Sequence, residues 1–334
     1  MRLDETINEF VKLGLYFKKL SSFENEDIIY KQAFSQNTFF SKKNICHAFF
    51  SLSKLLEKEN LNKWISSYSL SKKKTKSILV ICAGNIPLVC FHDILCVLIT
   101  GNNLILKPSH KDSVLTYFVI NKLIEIQPKF SKRIVISNFN KKLSYDMVIS
   151  TGSDSARKYF NYYFKKKPSI IRSNRTSIAI LNGGENKKDL SSLASDVFLY
   201  FGLGCRNVTK LYIPKGYDIK QLEPYFYYYI NNSSNKNYFD NYLYNKTILK
   251  LSKQKFFDFK NILLLNSVKL HPPIAVLYYE FYNKIEEINF NKDKVQCIVS
   301  NNAIQFKSTS FGECQSPKLN DYADNIDTIS FLTS

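Results

Sequence analysis

The chain has 334 residues, with 47 lysines and arginines against 28 aspartates and glutamates, a formal net charge of +19. Apolar residues at 45% and charged residues at 22% exclude a disordered chain, and the length allows two ordinary domains or one large one whose core needs no disulfide or metal staple. The charge invites a nucleic-acid partner, yet just six of the 47 cations are arginine, whose planar fork suits phosphate and guanine. The lysine excess, with abundant Asn, Ile, Tyr and Phe, follows A/T-rich codons, so a solvated lysine surface is expected and no nucleic acid.

Residues 3–70 read as helices, since Ile7, Phe10, Val11 and Leu15 recur at helical spacing, as do Phe49, Leu52, Leu55 and Leu56. The first ten residues are amphipathic and partly acidic, unlike a signal peptide. No run approaches the roughly 18 apolar residues of a membrane span, so a cytoplasmic protein is expected. The lysine-rich stretch 71–76 reads as a solvated connection.

From Ser77 the pattern changes. Ile78 to Cys82 is a short continuous apolar run, suited to a buried strand. The turn Ala83 to Pro87 places a proline to open a helix over 88–99. Gly101-Asn102-Asn103 stops that helix, and strand 104–106 completes a βαβ unit. Val114, Phe118, Val119 and Ile124 mark another helix, followed by strands at 133–136 and 147–150. This alternation predicts a parallel sheet covered on both faces, with ligands at the carboxyl ends of its strands. A helix over 153–164, strands at 169–172 and 177–181, and a boundary at Gly183-Gly184 follow. A helix over 190–203, a strand over 208–213, a helical region over 217–256 and strands at 261–265, 274–281 and 295–300 make a second α/β unit.

The seven cysteines (Cys46, Cys82, Cys90, Cys96, Cys205, Cys297, Cys314) form no CxxC pair, and four lie in apolar runs. Reduced thiols are expected. His47, His92, His110 and His271 have no metal-ligand spacing, so no metal is expected. Neither a GxGxxG fingerprint nor a P-loop is present. The sequon Asn207-Val208-Thr209 has no role in a chain that never meets the glycosylation machinery.

Three places can carry chemistry. Cys205, between Gly204 and Arg206 at a helix–strand junction, is either a half-buried structural thiol or a nucleophile. Arg206 favours its thiolate, and the carboxyl end of the preceding helix opposes it. Asn85 is either a turn former or a neutral amide donor to an oxyanion. Thr151-Gly152-Ser153 closes a strand and opens a helix, which suits either a plain N-cap or an anion contact.

The order of these pieces resembles the aldehyde dehydrogenase superfamily. Asn85-Ile86-Pro87, a helix, Gly101-Asn102, Leu106-Lys107-Pro108, Thr151-Gly152-Ser153 and Cys205 succeed one another as its motifs do. Within it, Phe201 to Asn207, Val295 to Ser300, and the tail Phe311 to Pro317 with Asp321 to Asp324 resemble the LuxC-type acyl-CoA reductases. The resemblance covers roughly residues 75–331 and implies an α/β, aldehyde dehydrogenase-like fold, with two three-layer α/β domains behind a helical N-terminal segment. The boundaries expected are 1–75 for that segment, 76–185 for a cofactor-binding Rossmann-like domain, 186–305 for a catalytic domain and 306–334 for a return segment.

The resemblance implies that Cys205 is the nucleophile and Asn85 an oxyanion donor. It gives Lys107 and Ser109 to the adenosine end of a nicotinamide cofactor, and Thr151, Gly152 and Ser153 to its pyrophosphate or nicotinamide. Two departures matter. The stretch Ile170 to Arg175, where many members carry a water-activating Glu, has no carboxylate, so an acyl-enzyme here is expected not to hydrolyse quickly. The superfamily's Glu ahead of a Phe-Gly-Pro segment is missing near Lys269, which leaves nicotinamide-ribose binding without its usual carboxylate. Lys107-Pro108-Ser109 is followed by His110 and Lys111 in place of the acid of NAD-preferring members, which tilts the expectation to NADPH. The expected activity is reduction of a long-chain fatty acyl thioester, carried by CoA or an acyl carrier, to the aldehyde; a homo-oligomer is possible. Another oxidoreductase of the superfamily, CoA-acylating or aldehyde-oxidising, and a non-catalytic basic binding protein stay open.

Overall fold

A computed structural model describes residues 2–22, 24, 27–70, 74–137, 144–230, 235–301 and 306–334. The lysines expected at 72 and 73 lie outside the described residues. The chain divides into two compact units, Met1–Asn174 with Lys318–Ser334, and Arg175–Pro317.

The first unit opens with α1 (Leu3–Leu20), α2 (Ile28–Gln36), α3 (Lys42–Leu55) and α4 (Lys58–Ile65). In α1 an apolar stripe of Ile7, Phe10, Leu13, Phe17 and Leu20 is buried. Asp4 and Glu5 in its first turn and Lys18 and Lys19 in its last complement its dipole. Side chains of Asp27 and Ser41 cap α2 and α3, accepting from the N–H groups of Ile29 and Asn44.

There follow β1 (Ser77–Ile81), α5 (Phe91–Ile99), β2 (Asn103–Lys107), α6 (Ser113–Ile126), β3 (Ile134–Ile136), β4 (Met147–Thr151), α7 (Asp154–Tyr163) and β5 (Ser169–Arg172). The strands form an all-parallel sheet in the order β3-β2-β1-β4-β5. Strand alternation sends Ile78, Val80, Leu104, Leu106 and Ile149 into a core shared with α1 to α6, and Leu79, Ile81, Ile105 and Val148 toward Phe160 and Phe164 of the α7 segment. Both faces are thus covered, and strand order reverses between β1 and β4.

The second unit runs through β6 (Thr176–Ile180), α8 (Lys187–Phe198), β7 (Val208–Pro214), α9 (Glu223–Ile230), α10 (Lys236–Leu251), β8 (Phe256–Asp258), β9 (Leu263–Asn266), β10 (Val276–Tyr282) and β11 (Val295–Val299). Its sheet order is β11-β6-β7-β10-β9-β8, parallel except for the edge strand β8. Asn186 opens α8 with a capping box, reciprocated by the Asp189 carboxylate. The chain then returns to the first unit with α11 (Thr328–Thr333). There the Tyr322 hydroxyl accepts from Trp64 Nε1 at 2.8 Å, and Asp327 accepts from the Tyr68 hydroxyl at 3.0 Å.

Several details differ from the sequence expectation. The division falls after Asn174 rather than near 185, because β6 pairs with β7 and β11 and so belongs to the second sheet. The N-terminal helices share one core with the first sheet, and the return segment is divided at Pro317. Helix α5 starts at Phe91, not 88, because Leu88 takes a left-handed φ of 55°. Helix α8 ends at Phe198 and not at 203. A 3₁₀ turn follows, in which Tyr200, Phe201 and Gly202 have φ of 55°, 57° and 74°. Among the described residues no helix is long and apolar enough to cross a membrane.

Candidate functional site

In the first unit, Ile81 sits in register with Lys107 of β2 and Ser150 of β4. The carboxyl ends of β1, β2 and β4 therefore lie side by side at the reversal of strand order, where such sheets bind ligands. This edge gathers Asn85, Lys107, Ser109, Thr151, Gly152 and Ser153. Asn85 and Ser153 are exposed; Lys107, Ser109, Thr151 and Gly152 are half-buried. The Cys82 N–H donates to the Lys107 carbonyl at 3.0 Å, so the ladder extends into the loops.

Two glycines are required here by contact. A Cβ on Gly84 would stand 2.5 Å from Ser109 Oγ, and one on Gly152 would stand 2.9 Å from Ala156 Cβ. The turn after β1 is thus pressed against the loop after β2, and the turn after β4 against α7. Ser153 Oγ accepts from the Ala156 N–H at 3.2 Å, so this hydroxyl caps α7. With Lys107, Lys111 and His110 on the same loop, the edge offers backbone, hydroxyls and cations, a donor set that fits a phosphate-bearing nucleotide.

Asp112 links two of these loops. It is 1% exposed, and its Oδ2 accepts from the Leu88 N–H at 2.8 Å. Its Oδ1 is buried without a partner among the described residues, and burial pushes its pKa well up. The left-handed Leu88 and the Asn85 turn are thereby tied to the β2–α6 loop.

Cys205 stands in the second unit, on the turn between α8 and β7. It is half-buried, whereas the six other cysteines are buried. A hydrogen bond to Cys82 and burial push Cys90 well up, and burial does the same to Cys96, so neither supplies a thiolate. The Cys205 turn is pinned from inside. Asn207, fully buried, accepts from the Gly204 N–H at 2.8 Å and donates through Nδ2 to the carbonyls of Asp196, Val197 and Leu199. Ser177 Oγ of β6 donates to the Cys205 carbonyl and accepts from the Cys297 N–H, each at 3.1 Å.

One expectation about Cys205 is corrected by this geometry. The opposing helix dipole was placed next to the thiol, but α8 ends seven residues before it and the chain turns left-handed in between. The dipole effect falls off within one turn. Arg206, beside Cys205 in the chain, donates through Nη1 to Cys297 Sγ at 3.1 Å. The carboxylate-free stretch 170–175 contains Arg172, whose Nη1 pairs with Asp93 at 2.6 Å, both buried. Lys269 lines a cavity of about 550 Å³ in the second unit with Lys255, Gln254 and Asn266.

Sequence reasoning singled out neither Asp112, Ser177, Asp196 nor Cys297 as parts of a site. It gave the Asn207 sequon no role, and the residue is a buried hub of the Cys205 turn. The signal available was weak: Asp196 lies between Ser195 and Val197, on the helix face of Leu193, Val197 and Phe198.

Two α/β units, one with an all-parallel sheet and one with a sheet parallel but for its edge strand, make this an aldehyde dehydrogenase-like fold, with a half-buried cysteine on a pinned turn of the second. The chain is similar to a structure of indole-3-acetaldehyde dehydrogenase complexed with NAD+ (TM-score 0.65, 13% identity, 91% of this chain and 73% of that one). It is also similar to an NAD-dependent benzaldehyde dehydrogenase from Corynebacterium glutamicum (TM-score 0.66, 10% identity, 90% and 76%). A third likeness is to an NADP-dependent glyceraldehyde-3-phosphate dehydrogenase from Bacillus halodurans C-125 complexed with NADP (TM-score 0.62, 12% identity, 90% and 74%). At these identities the likeness is one of fold. Comparison with curated proteins gives no match. The family model described as acyl-CoA reductase (LuxC) matches residues 17–223, more than half of the chain. The chain belongs to that family, and is an oxidoreductase of the aldehyde and acyl-thioester class.

Proposed function

We propose that this protein reduces a long-chain fatty acyl-CoA to the fatty aldehyde with NADPH, through an acyl group held on Cys205. The observation that carries the proposal is Cys205 itself, the half-buried thiol on a turn fixed by Asn207 and Ser177, in a member of the acyl-CoA reductase family.

The Cys205 thiolate attacks the thioester carbonyl. Its own backbone N–H and the Asn85 amide donate to the oxyanion, and one such donor is worth roughly 3–4 kcal/mol. The CoA thiolate leaves as the carbonyl re-forms, and the acyl group stays on Cys205. When bound, NADPH supplies the hydride that brings the acyl group to the aldehyde level. Lys107 and Ser109 hold its adenosine end, and Thr151, Gly152 and Ser153 its pyrophosphate or nicotinamide. His110 and Lys111 favour a 2′-phosphate over a bare ribose. Hydrolysis is slow because stretch 170–175 offers water no carboxylate, and its Arg172 is committed to Asp93.

Mass spectrometry after incubation with a long acyl-CoA and no cofactor tests this. An acyl adduct on Cys205, absent from Cys205→Ala, is expected. Aldehyde formation by folded Cys205→Ala would overturn the mechanism. A shift of the nucleotide preference toward NADH in His110→Glu is expected, and an unchanged ratio would remove the support for NADPH.

A further inference from the structure

Asp196 holds two turns at once. It lies in the last turn of α8 and is 1% exposed, among buried Leu193, Ala194, Val197 and Phe198. Its carboxylate accepts from the Gly312 N–H at 2.7 Å and the Cys314 N–H at 3.2 Å. Its main-chain carbonyl accepts from Asn207 Nδ2 at 3.0 Å, and Asn207 Oδ1 in turn holds the Gly204 N–H, next to Cys205.

The 311–314 turn fits closely onto α8. Gly312 has φ of 86°, and a Cβ there would stand 3.0 Å from Ser192 Cβ. On its far side the Cys314 thiol is hydrogen-bonded to Cys297, whose sulfur takes the Arg206 guanidinium. An acid buried in an apolar helix face is costly unless its oxygens are satisfied, and a Leu there would fill the space without that cost. What the acid adds is a clamp on two backbone amides.

We propose that Asp196 is a positioning residue: it clamps the Gly312–Cys314 turn with its carboxylate and the Cys205 turn through its carbonyl and Asn207, so that one rigid joint sets the direction in which the Cys205 thiol faces the acyl carbonyl. This rests on Cys205 being the nucleophile. Misplacing a reacting group by about 1 Å costs about 100-fold in rate, so the joint has a kinetic signature.

The test compares Asp196→Ala, Asp196→Asn and Cys205→Ala with the unaltered chain at pH 8. Turnover is measured with acyl-CoA and NADPH, and amide hydrogen exchange is followed over 311–315. For Asp196→Ala, kcat falls about 10- to 100-fold while KM for the thioester stays within about threefold, and exchange over 311–315 quickens. Loss of folded protein would lower the apparent kcat at unchanged KM in the same way, so kcat is expressed per folded chain, counted by gel filtration and circular dichroism. If the alanine variant does not fold, the near-isosteric Asp196→Asn carries the test. It keeps one acceptor oxygen and sets an amide donor against the other N–H, so a smaller fall in kcat with faster exchange is expected. A folded Asp196 variant with unchanged kcat, beside an inactive Cys205→Ala, overturns the positioning role alone. An active Cys205→Ala overturns the nucleophile and the positioning role together.

Discussion

Asp196 gives the sharpest stability test. Burial pushes its carboxyl up to about 7 from an ordinary 3.8, against the lowering effect of the Gly312 and Cys314 amides. The titratable groups that face it are Cys297 from β11, Glu313 and Cys314 from the turn, and Tyr229 from α9, with Arg206 held on the Cys297 sulfur. A carboxyl whose folded pKa is raised binds its proton more tightly in the folded chain. Its contribution to stability is therefore complete below the unfolded value and lost as pH rises through about 7. About three pKa units at 1.36 kcal/mol each give about 4 kcal/mol in all, of which about 3 kcal/mol disappears between pH 5 and pH 8. Asp196→Asn cannot titrate, whatever its own cost. Trp64 is the single tryptophan and stands in the first unit, so opening of the second unit is best followed by amide exchange in β6 and β7 across a urea series. From pH 5 to pH 8 the unaltered chain should lose about 3 kcal/mol more than the variant. Equal losses, within about 1 kcal/mol, would refute the reasoning, and so would the opposite sign, which would mean that the amide donors outweigh burial.

Two further substitutions probe the first unit. Gly84→Ala places a Cβ 2.5 Å from Ser109 Oγ and forces the loops after β1 and β2 apart. Overpacking of this kind costs about 1–3 kcal/mol, so NADPH binding measured by quenching or calorimetry should weaken about 5- to 150-fold, and Cys205 acylation, which draws on Asn85 of the same turn, should slow as well. Asp93→Ala strips the partner from buried Arg172 and should destabilise by about 3–5 kcal/mol in denaturant unfolding, while Asp93→Leu with Arg172→Met should recover most of that loss.

The fold was legible because its strands announce themselves. Ile78 to Cys82, Leu104 to Leu106 and Val148 to Ile149 are apolar on both faces, as central parallel strands must be when helices cover both sides. The edge strand β8 was not legible, since Phe256-Phe257-Asp258 is neither an unbroken apolar run like β3 nor long enough to alternate. The division after Asn174 was hidden for a different reason. It depends on which sheet β6 joins, and pairing partners are non-local, whereas Gly183-Gly184 marks only a local turn. The two helix ends misjudged, at Leu88 and at Leu199 to Gly202, share a cause. Non-glycine residues there adopt positive φ, a conformation that local propensity disfavours and tertiary hydrogen bonds hold in place.

The candidate site divides along the same line. Residues proposed to face a ligand could be named from sequence because their spacing follows the strands: Asn85, Lys107, Ser109 and Thr151 to Ser153 all fall at or just past strand ends. Residues that hold the site could not, because a buried polar group shows its purpose only through partners far along the chain. Asp196 reaches Gly312 and Cys314, and Ser177 reaches Cys205 and Cys297. Each is an ordinary polar residue in the sequence and a satisfied, desolvated one in the fold. Burial of such groups is unfavourable unless every partner is in place, so the arrangement around Cys205 tolerates few alternatives. That makes the second unit's contribution a matter of rigidity: β6, α8, β11 and the 311–314 turn converge on one short turn and leave its cysteine half open.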